Sequence, residues 1–397
     1  MKFTLFVLAL ATFAVGTDAY VVAGILPPIA QSFSASIPAV GQLVTAYSLT
    51  YAVLSPVMAT LTAHWPRRSV LFVGLAVFIV GNILTAMAPT FELALGSRAV
   101  AGLGGAMITP TAGAVAAALV PPDRRGFALA IVIAGLSAAT ALGAPIGTVI
   151  GNIGDWHLSL WFVAALGILA TIGILVFVPI VPPAPALRLK DRLAPLSDVR
   201  IVTTLATSVL VIFSAFLVYN YVSVVFDRAT DSDGTRLAFL LSIWGVAATV
   251  GSLAGGRLID RFGSRLIINL AIVVLVLDFA LMPWSGTKFG GAALALTVWG
   301  LCGWSFVVAQ QHRLISIAPA LSPILLGLNA SALHLGISVA GAGGGLAMHW
   351  LPAHELPLLS ATLTVVGGLS AELAYWCIFS FQPQLVACNI APDDRSQ

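Results

Sequence analysis

The chain has 397 residues, of which 59% are hydrophobic and 8% are charged, and its mean hydropathy is +1.03. A soluble domain of this length cannot hide so much apolar surface from water, so the composition excludes a soluble protein and places the chain in a lipid bilayer. The formal net charge is only +3, and the positions of the charges therefore carry more information than their sum.

Twelve apolar runs are bounded by Pro, Gly or charged residues, and each is long enough to cross a membrane, which takes roughly 20 helical residues. The first run follows Met1-Lys2 and has Gly16 near its middle, a pattern that a cleaved signal peptide would also show. It continues to Leu26, however, and is interpreted as a spanning helix. The sequence predicts an all-α membrane protein with twelve transmembrane helices at residues 3–26, 39–61, 69–88, 93–119, 127–150, 159–181, 201–226, 237–256, 266–284, 290–311, 324–349 and 358–381.

The basic residues are distributed unevenly between the two sides of these helices. With the N-terminus in the cytoplasm, fourteen of the 18 Lys and Arg residues lie on the cytoplasmic side, Arg228, Arg236 and Lys288 lie on the opposite side, and Arg98 lies within a helix. Because positively charged loops stay in the cytoplasm, this distribution predicts a multi-pass protein of a bacterial-type inner (plasma) membrane with both termini cytoplasmic.

The longest internal connection, residues 182–200, is basic and contains Pro. It predicts a cytoplasmic linker between an N-terminal six-helix half (1–181) and a C-terminal six-helix half (201–397) that ends in a short cytoplasmic tail. The segment Ala59–Val70 (ATLTAHWPRRSV) aligns with Gly256–Ile267 (GRLIDRFGSRLI) at an offset of 197 residues. This alignment indicates that the two halves are pseudo-symmetric repeats.

Asp18 is the only carboxylate inside a predicted helix of the first half, and an ionisable group at membrane depth is costly enough to imply a partner or a function. At 1.5 Å per residue, Asp18 lies about 24 Å from Lys2, at the level that Arg98 reaches about 9 Å inward from Glu92. We interpret Asp18 and Arg98 as a proton-coupling pair, because burial favours the protonated carboxyl whereas the cation favours the carboxylate. The alternative is a permanent ion pair that joins the first and fourth helices. Thr17 is a candidate for contact with the substrate.

Residues 256–265 (GRLIDRFGSR) concentrate charge between two apolar runs. Gly256 would let two helices approach or the chain turn, and Asp260 would cap a helix start. Arg261 and Arg265 would hold carboxylates or helix C-termini across the loop. A basic loop that only fixes topology is the alternative. We interpret five of these residues as a gating loop that latches one conformation, namely Gly256, Asp260, Arg261, Gly263 and Arg265.

The fifth predicted helix has glycines at four-residue spacing, Gly143, Gly147 and Gly151, and Pro145 between them. Small residues at this spacing form a flat face against which a neighbouring helix can press, and Pro145 can kink the helix. Packing alone would explain the glycines.

Other polar residues within the apolar runs are substrate-site candidates, and each has a structural alternative. Tyr219, Asn220 and Tyr221 lie near the outer end of the seventh helix, where they would line a ligand site or belong to an aromatic belt. Asn329 and His334 lie in the eleventh helix. An imidazole suits proton transfer, although a lone intramembrane His is more often a packing group.

Asp278 and Glu372 lie in the ninth and twelfth predicted helices. The sequence leaves three roles possible for them: pairing with each other, another polar contact, or proton relay. The three cysteines, Cys302, Cys377 and Cys388, are too few and too scattered for a disulfide framework. The sequence has no phosphate-binding glycine loop, zinc-spaced Cys/His set or nucleophile elbow. We therefore expect no metal, no cofactor and no enzyme activity.

The charged segment at residues 256–265 resembles the cytoplasmic loop between paired helices in the major facilitator superfamily of transporters. In the first-half copy, Ala59, Ala63 and Pro66 stand where this motif has Gly, Asp and Gly, so whether that loop gates is left open.

Three further segments resemble motifs of the same superfamily. Ser97–Gly104 (SRAVAGLG) resembles the Arg-x-x-x-Gly-x-Gly motif of the fourth helix. Residues 135–151 resemble the antiporter motif of the fifth helix, with Ala144 in place of a Gly. Residues 16–33 are similar to the first helix of the sugar and drug efflux branch.

The resemblance implies the major facilitator fold and the drug:proton antiporter or sugar efflux branch. The implied function is proton-coupled efflux of small molecules, either sugars or amphiphilic drugs as in multidrug transporters, across the inner membrane by alternating access. The proton gradient would supply the energy, and the partners would be the substrate, protons and lipid, with no nucleic acid. We expect a monomer. Proton-linked uptake is the alternative within transport, and a channel or sensor on the same fold is less favoured.

Overall fold

The computed structural model describes residues 2–121, 124–183 and 187–380, and these ranges form twelve membrane-length helices with no β-strand. The predicted all-α fold is confirmed, whereas Cys388 and the predicted tail lie outside the described residues. The helices, numbered in chain order, are α1 (Phe3–Gly24), α2 (Ile37–Leu61), α3 (Arg67–Ala86), α4 (Phe91–Ala118), α5 (Arg125–Ile153), α6 (Trp156–Phe177), α7 (Val199–Tyr219), α8 (Gly234–Phe262), α9 (Ser264–Ser285), α10 (Phe289–Ile317), α11 (Pro319–Ala347) and α12 (Ala353–Ser380).

Side-chain caps fix where several helices begin. Ser36, Thr90, Asp155, Asp198 and Asp233 precede α2, α4, α6, α7 and α8, and each accepts a hydrogen bond from a backbone N–H two or three residues further on. A cap satisfies an amide that has no partner inside the helix. These caps explain why α6 and α8 begin at residues 156 and 234, earlier than the apolar runs alone predict.

The Pro-containing helix α5 is irregular at the predicted place. A π-helical turn spans Ala139–Gly143, directly before the helical segment whose first turn contains Pro145. Because Pro145 has no N–H to donate to the preceding turn, the helix widens there to accommodate its ring.

The glycine face of α5 is pressed against α1. A Cβ added at Gly143 would lie 2.0 Å from Thr17 Oγ1, and one added at Gly147 would lie 2.5 Å from Val21 Cγ2. At Gly151 the nearest atom would be Ser159 Oγ of α6 at 2.4 Å. The predicted close packing of this face is therefore present, and a larger side chain has no room there.

The two halves, α1–α6 and α7–α12, meet at one end of the bundle. On one side α2 packs on α11, where Gln42 donates a hydrogen bond to the Gly341 carbonyl at 3.3 Å and Thr45 donates to the Ser338 carbonyl at 3.4 Å. On the other side α5 contacts α8 mainly along residues 139–153. Both contacts lie away from the linker between the halves, and we call this end of the bundle the closed end.

At the opposite end, which we call the linker end, the halves separate. A groove of about 550 Å³ lies between α2 and the pair α7 and α11. The linker contributes a short helix, Leu189–Leu193, to its margin. The molecule is thus shut at the closed end and parted at the linker end.

The charged segment 256–265 is not a loop. Helix α8 continues through Asp260 to Phe262, and Gly263, with a φ of +79°, is the one residue between α8 and α9. Asp260 therefore caps no helix start, and a Cβ added at Gly256 would meet no atom within 4 Å. The capping and close-approach roles predicted for Asp260 and Gly256 are wrong, because good helix formers extend α8 until the glycine reverses the chain.

Gly245 of α8 is a point of very close contact at the closed end. A Cβ there would lie 2.4 Å from both the carbonyl carbon and the oxygen of Thr140 in α5. We expect Gly245→Ala to part α8 from α5, because backbone atoms cannot move aside as a flexible side chain can. The measurement is the alkylation rate of a Leu241→Cys residue, which is buried on the same face of α8 one turn before Gly245, in a background without native cysteines. Gly245→Ala should accelerate it several-fold.

Gly256→Ala is the matched control for this change, since it adds the same methyl group to the same helix in open space. It should leave the alkylation rate unaltered and raise the free energy of unfolding by up to about 1 kcal/mol, because Ala favours the helix over Gly. Equal alkylation rates in both variants would contradict the assignment of Gly245 to the closure.

Candidate functional site

A buried ion pair joins α1 to α4. Arg98 Nη1 donates to Asp18 Oδ1 at 2.5 Å, and Arg98 Nη2 donates to the Asp18 backbone carbonyl at 3.3 Å. Asn82 of α3 completes the group, since its Nδ2 donates to Asp18 Oδ2 at 3.3 Å and its Oδ1 accepts from Arg98 at 3.4 Å. The exposed fractions of the Asp18 and Arg98 side chains are 0% and 1%. The contact predicted from helix depth is present, and three helices converge on it.

The Arg98 guanidinium also reaches α2. Its central carbon lies 4.7 Å from the ring centroid of Tyr47, a geometry in which the negative face of the ring stabilises the cation. Arg98 Nε and the Tyr47 hydroxyl are buried and have no hydrogen-bond partner among the described residues. The charge pair therefore touches the helix that carries part of the contact between the halves.

An aromatic cluster lies beside the ion pair and bridges the two halves. Tyr20, two residues after Asp18, has its ring centroid 5.6 Å from that of Tyr219 in α7 and 6.3 Å from that of Trp244 in α8. Trp244 in turn lies 5.5 Å from Trp299 of α10. The Tyr219 hydroxyl and Trp244 Nε1 are buried without a partner in the described part of the chain. We call Tyr20, Phe216, Tyr219, Trp244 and Trp299 the central aromatic cluster.

A second ring contact joins the halves nearer the linker end. The imidazole of His334 in α11 is parallel to the Tyr51 ring of α2, with a centroid distance of 3.6 Å and an interplanar angle of 7°. His334 Nδ1 lies 3.0 Å from the Ala330 carbonyl oxygen, so Nδ1 carries the proton and Nε2 is left as an acceptor. The role of His334 in proton transfer stays a prediction.

The polar residues at the end of α7 are interior groups. Tyr219, Asn220 and Tyr221 are each at most 1% exposed, so the aromatic-belt interpretation is wrong. Asn220 donates a hydrogen bond to the Ile337 carbonyl at 3.1 Å, and the Tyr221 hydroxyl donates one to the Gly341 carbonyl at 2.6 Å. Asn220 and Tyr221 therefore hold α7 against α11, and Tyr219 alone of the three carries an unpartnered polar atom.

Two further substrate candidates are occupied by internal contacts. The Thr17 hydroxyl donates to the Phe13 carbonyl at 2.8 Å, and its side chain faces α5 rather than the second half. Asn329 Oδ1 accepts from the Ser208 hydroxyl at 3.2 Å, close to Gln310, whose amide donates to the Thr204 carbonyl. These contacts join α7, α10 and α11 within the second half.

The two carboxylates of α9 and α12 do not pair with each other. Glu372 accepts from Arg265 at 2.6 Å and also bonds Asn269. Arg265 thus holds a carboxylate, as expected for it, whereas Arg261 lies over the Phe262 ring at 5.2 Å. Asp278 Oδ2 has no partner among the described residues. Within those residues no group of three His, Cys, Asp or Glu side chains is placed to hold a metal ion.

Sequence reasoning missed several members of the site. Asn82 was detectable, because it is an amide within the apolar run of the third helix. Tyr47 and Tyr51 lie four residues apart on one face of α2, a spacing that places both rings toward the same neighbours. Tyr20 carried no signal of its own, since an aromatic residue in a spanning helix faces lipid or protein with equal ease.

The ion pair should show strong energetic coupling. In a double-mutant cycle with Asp18→Asn and Arg98→Gln, each single change leaves a dehydrated group without its partner, and we expect a coupling free energy of about 2 kcal/mol or more. Equilibrium unfolding of purified protein in detergent measures it. The matched control is Arg265→Gln with Glu372→Gln, an ion pair with side chains 49% and 43% exposed, for which water and ions weaken the coupling. Equal coupling free energies in both cycles would contradict the explanation that burial strengthens the Asp18–Arg98 interaction.

The chain resembles known transporters along almost all of its length. The family model of the Major Facilitator Superfamily matches residues 8–341. The inner membrane transport protein YdhP of Escherichia coli O157:H7 is 30% identical over 94% of this chain and 96% of its own. The MFS-type transporter YbcL of Bacillus subtilis (strain 168) is 28% identical over 96% of each chain.

Solved structures agree on the fold. A bacterial homologue of the human lysosomal transporter Spinster, in an inward-facing and occupied conformation, superimposes with a TM-score of 0.77 at 16% identity, over 96% of this chain and 97% of its own. The same homologue in an inward-facing, unoccupied conformation gives a TM-score of 0.73. With twelve spanning helices and these relatives, the chain belongs to the Major Facilitator Superfamily and is a membrane transporter of small molecules rather than an enzyme.

Proposed function

We propose that the protein exports small molecules across the inner membrane in exchange for protons, by alternating access between its two halves. The observation that carries this proposal is the dehydrated carboxylate of Asp18, held by Arg98 and Asn82 at the junction of three helices. A charge in such a place is costly to maintain. A group whose charge can be cancelled by one proton is suited to link protonation to helix movement.

Proton binding would act through the ion pair. A proton on Asp18 removes the negative charge that Arg98 neutralises, and the guanidinium then has the Tyr47 ring and the Asn82 oxygen as its remaining contacts. Because Tyr47 belongs to α2, the rearrangement reaches the helix that closes on α11. We infer that protonation and closure of the halves are coupled along α2, with the proton gradient as the energy source and no bound cofactor.

The direction of transport follows from orientation. Lys and Arg are abundant on the linker side of the bundle, and the positive-inside tendency supports a cytoplasmic linker and cytoplasmic termini. The parted linker end would then face the cytoplasm, so that this conformation is inward-facing, as the solved Spinster homologue is described to be. The antiporter-like segment at residues 135–151 favours export over proton-linked uptake. We propose a monomer as the working unit.

The central aromatic cluster supports amphiphilic drugs rather than sugars as the substrate class. Its rings are buried against one another and carry few polar atoms, among them the Tyr219 hydroxyl and Trp244 Nε1, which have no partner among the described residues. A sugar requires many paired hydrogen bonds, whereas a planar aromatic cation is held by ring faces. A sugar is the second candidate, and comparing counterflow of ethidium with counterflow of lactose in proteoliposomes separates the two.

Asp18→Asn tests the proton coupling. Asn has nearly the same shape as Asp and mimics the permanently protonated carboxyl. Downhill exchange of substrate should therefore continue. Accumulation of substrate against its concentration gradient, driven by a pH difference, should fall at least tenfold. Both fluxes are measured in the same proteoliposomes.

The control for Asp18→Asn is Asp278→Asn, a second carboxylate within a membrane span, which makes no bond to Arg98. It should retain gradient-driven accumulation. A permanent structural pair predicts a different result, namely that Asp18→Asn lowers the yield of folded protein and reduces both fluxes in proportion. Saturable counterflow by the wild-type protein would exclude a channel.

Asp260→Asn tests the gate. The Asp260 carboxylate is exposed at the parted linker end and forms no hydrogen bond with the described residues. We propose that it acts as a latch in the conformation in which this end is closed. Asp260→Asn should therefore slow turnover several-fold with little change in substrate affinity, because it alters the gate and not the pocket. Asp191→Asn, an exposed carboxylate on the linker helix, is the control. Equal loss of affinity and rate would contradict the latch.

A further inference from the structure

The groove at the linker end has an apolar wall that no described part of the chain covers. It is lined by Val53 and Val57 of α2, Leu193 and Leu196 of the linker, Val202 of α7 and Leu335 of α11. Val53 and Leu196 are 54% and 41% exposed. A soluble ligand would gain little from such a surface, whereas hydrocarbon would be favoured there.

The groove has almost no polar lining. Among the residues that form it, Ser331 alone carries a polar side chain, and its hydroxyl has no hydrogen-bond partner in the described chain. An alkyl chain fits this environment, because it has no hydrogen-bond donor or acceptor that the wall would have to satisfy.

The margin of the groove is basic. Arg192, on the same short helix as Leu189 and Leu193, donates through Nη2 to the Ala59 carbonyl at the end of α2 at 3.1 Å, and its Nε is buried without a partner among the described residues. Arg67, at the start of α3, lies close enough for its positive charge to act on Arg192. Burial, and then the charge of Arg67, lower the pKa of the Arg192 guanidinium.

The nearby acids do not neutralise these two arginines. Asp198 is bonded to Arg200 at 2.7 Å, and Asp191 is exposed and forms no hydrogen bond or ion pair with Arg192. Arg192, on the short helix that borders the apolar groove, thus has no carboxylate partner within the described chain. An anion that carries its own hydrocarbon would satisfy both features at once.

We propose that the groove and its basic margin bind an anionic phospholipid, with one acyl chain between α2 and α7 and the phosphate held by Arg67 and Arg192. The lipid would tie the linker helix to the end of α2. The groove lies between helices of the two halves and borders the linker, and basic pockets at helix ends are suited to acidic headgroups.

Native mass spectrometry of the full-length protein tests this proposal. The protein is mixed with 1-palmitoyl-2-oleoyl-phosphatidylglycerol or with the phosphatidylcholine of the same chains. The wild-type protein should retain the anionic lipid preferentially. Arg67→Gln with Arg192→Gln should reduce its retention at least fivefold, whereas Arg188→Gln with Lys190→Gln, the same charge change at exposed positions of the same linker, should not.

The chain site is tested separately. Ala206→Trp fills the groove from an exposed position of its lining and should also reduce retention of phosphatidylglycerol, whereas Val246→Trp, on an exposed face of α8 outside the groove, should not. Elution from a sizing column verifies that each variant is folded. The proposal would be overturned if the double arginine variant retained as much phosphatidylglycerol as the wild-type protein. It would also be overturned if this variant lost phosphatidylglycerol and phosphatidylcholine to the same extent.

Discussion

The burial of a carboxylate and a guanidinium inside a membrane bundle is the constraint on which the rest of this structure depends. Neither Asp18 nor Arg98 can stay charged there without the other, since transfer of a lone ion out of water costs far more than one contact returns. Their bond fixes the relative rotation of α1 and α4, and Asn82 fixes α3 against both. The first half is therefore organised around a group that a single proton can alter.

Helix α2 connects this group to one of the two contacts between the halves. Along one helix lie Thr45, which contacts α11 at the closed end, Tyr47, which covers the Arg98 guanidinium, and Tyr51, which stacks on His334. Beyond Tyr51 the same helix forms one wall of the groove. A shift of α2 in response to the charge at Asp18 would thus alter the contact between the halves and the shape of the parted end together.

The spanning helices and the Asp18–Arg98 contact could be predicted from the sequence, because hydrophobic length and the fixed rise of a helix determine depth. The path of residues 256–265 could not, since a charged stretch at a membrane surface is compatible with either a loop or the continued helix that α8 forms. Partners across the bundle, such as Glu372 for Arg265 or Trp244 for Tyr20, depend on helix rotation. Rotation is set by packing of many side chains and leaves no signal in local spacing.

We propose that Asp18 is the residue that exchanges a proton when substrate binds. Proton release on addition of substrate to purified protein in weakly buffered detergent solution, followed with a pH indicator, tests it most directly. We expect release from the wild-type protein and from Asp278→Asn, and no release from Asp18→Asn that still binds substrate. Equal release by substrate-bound Asp18→Asn would contradict it.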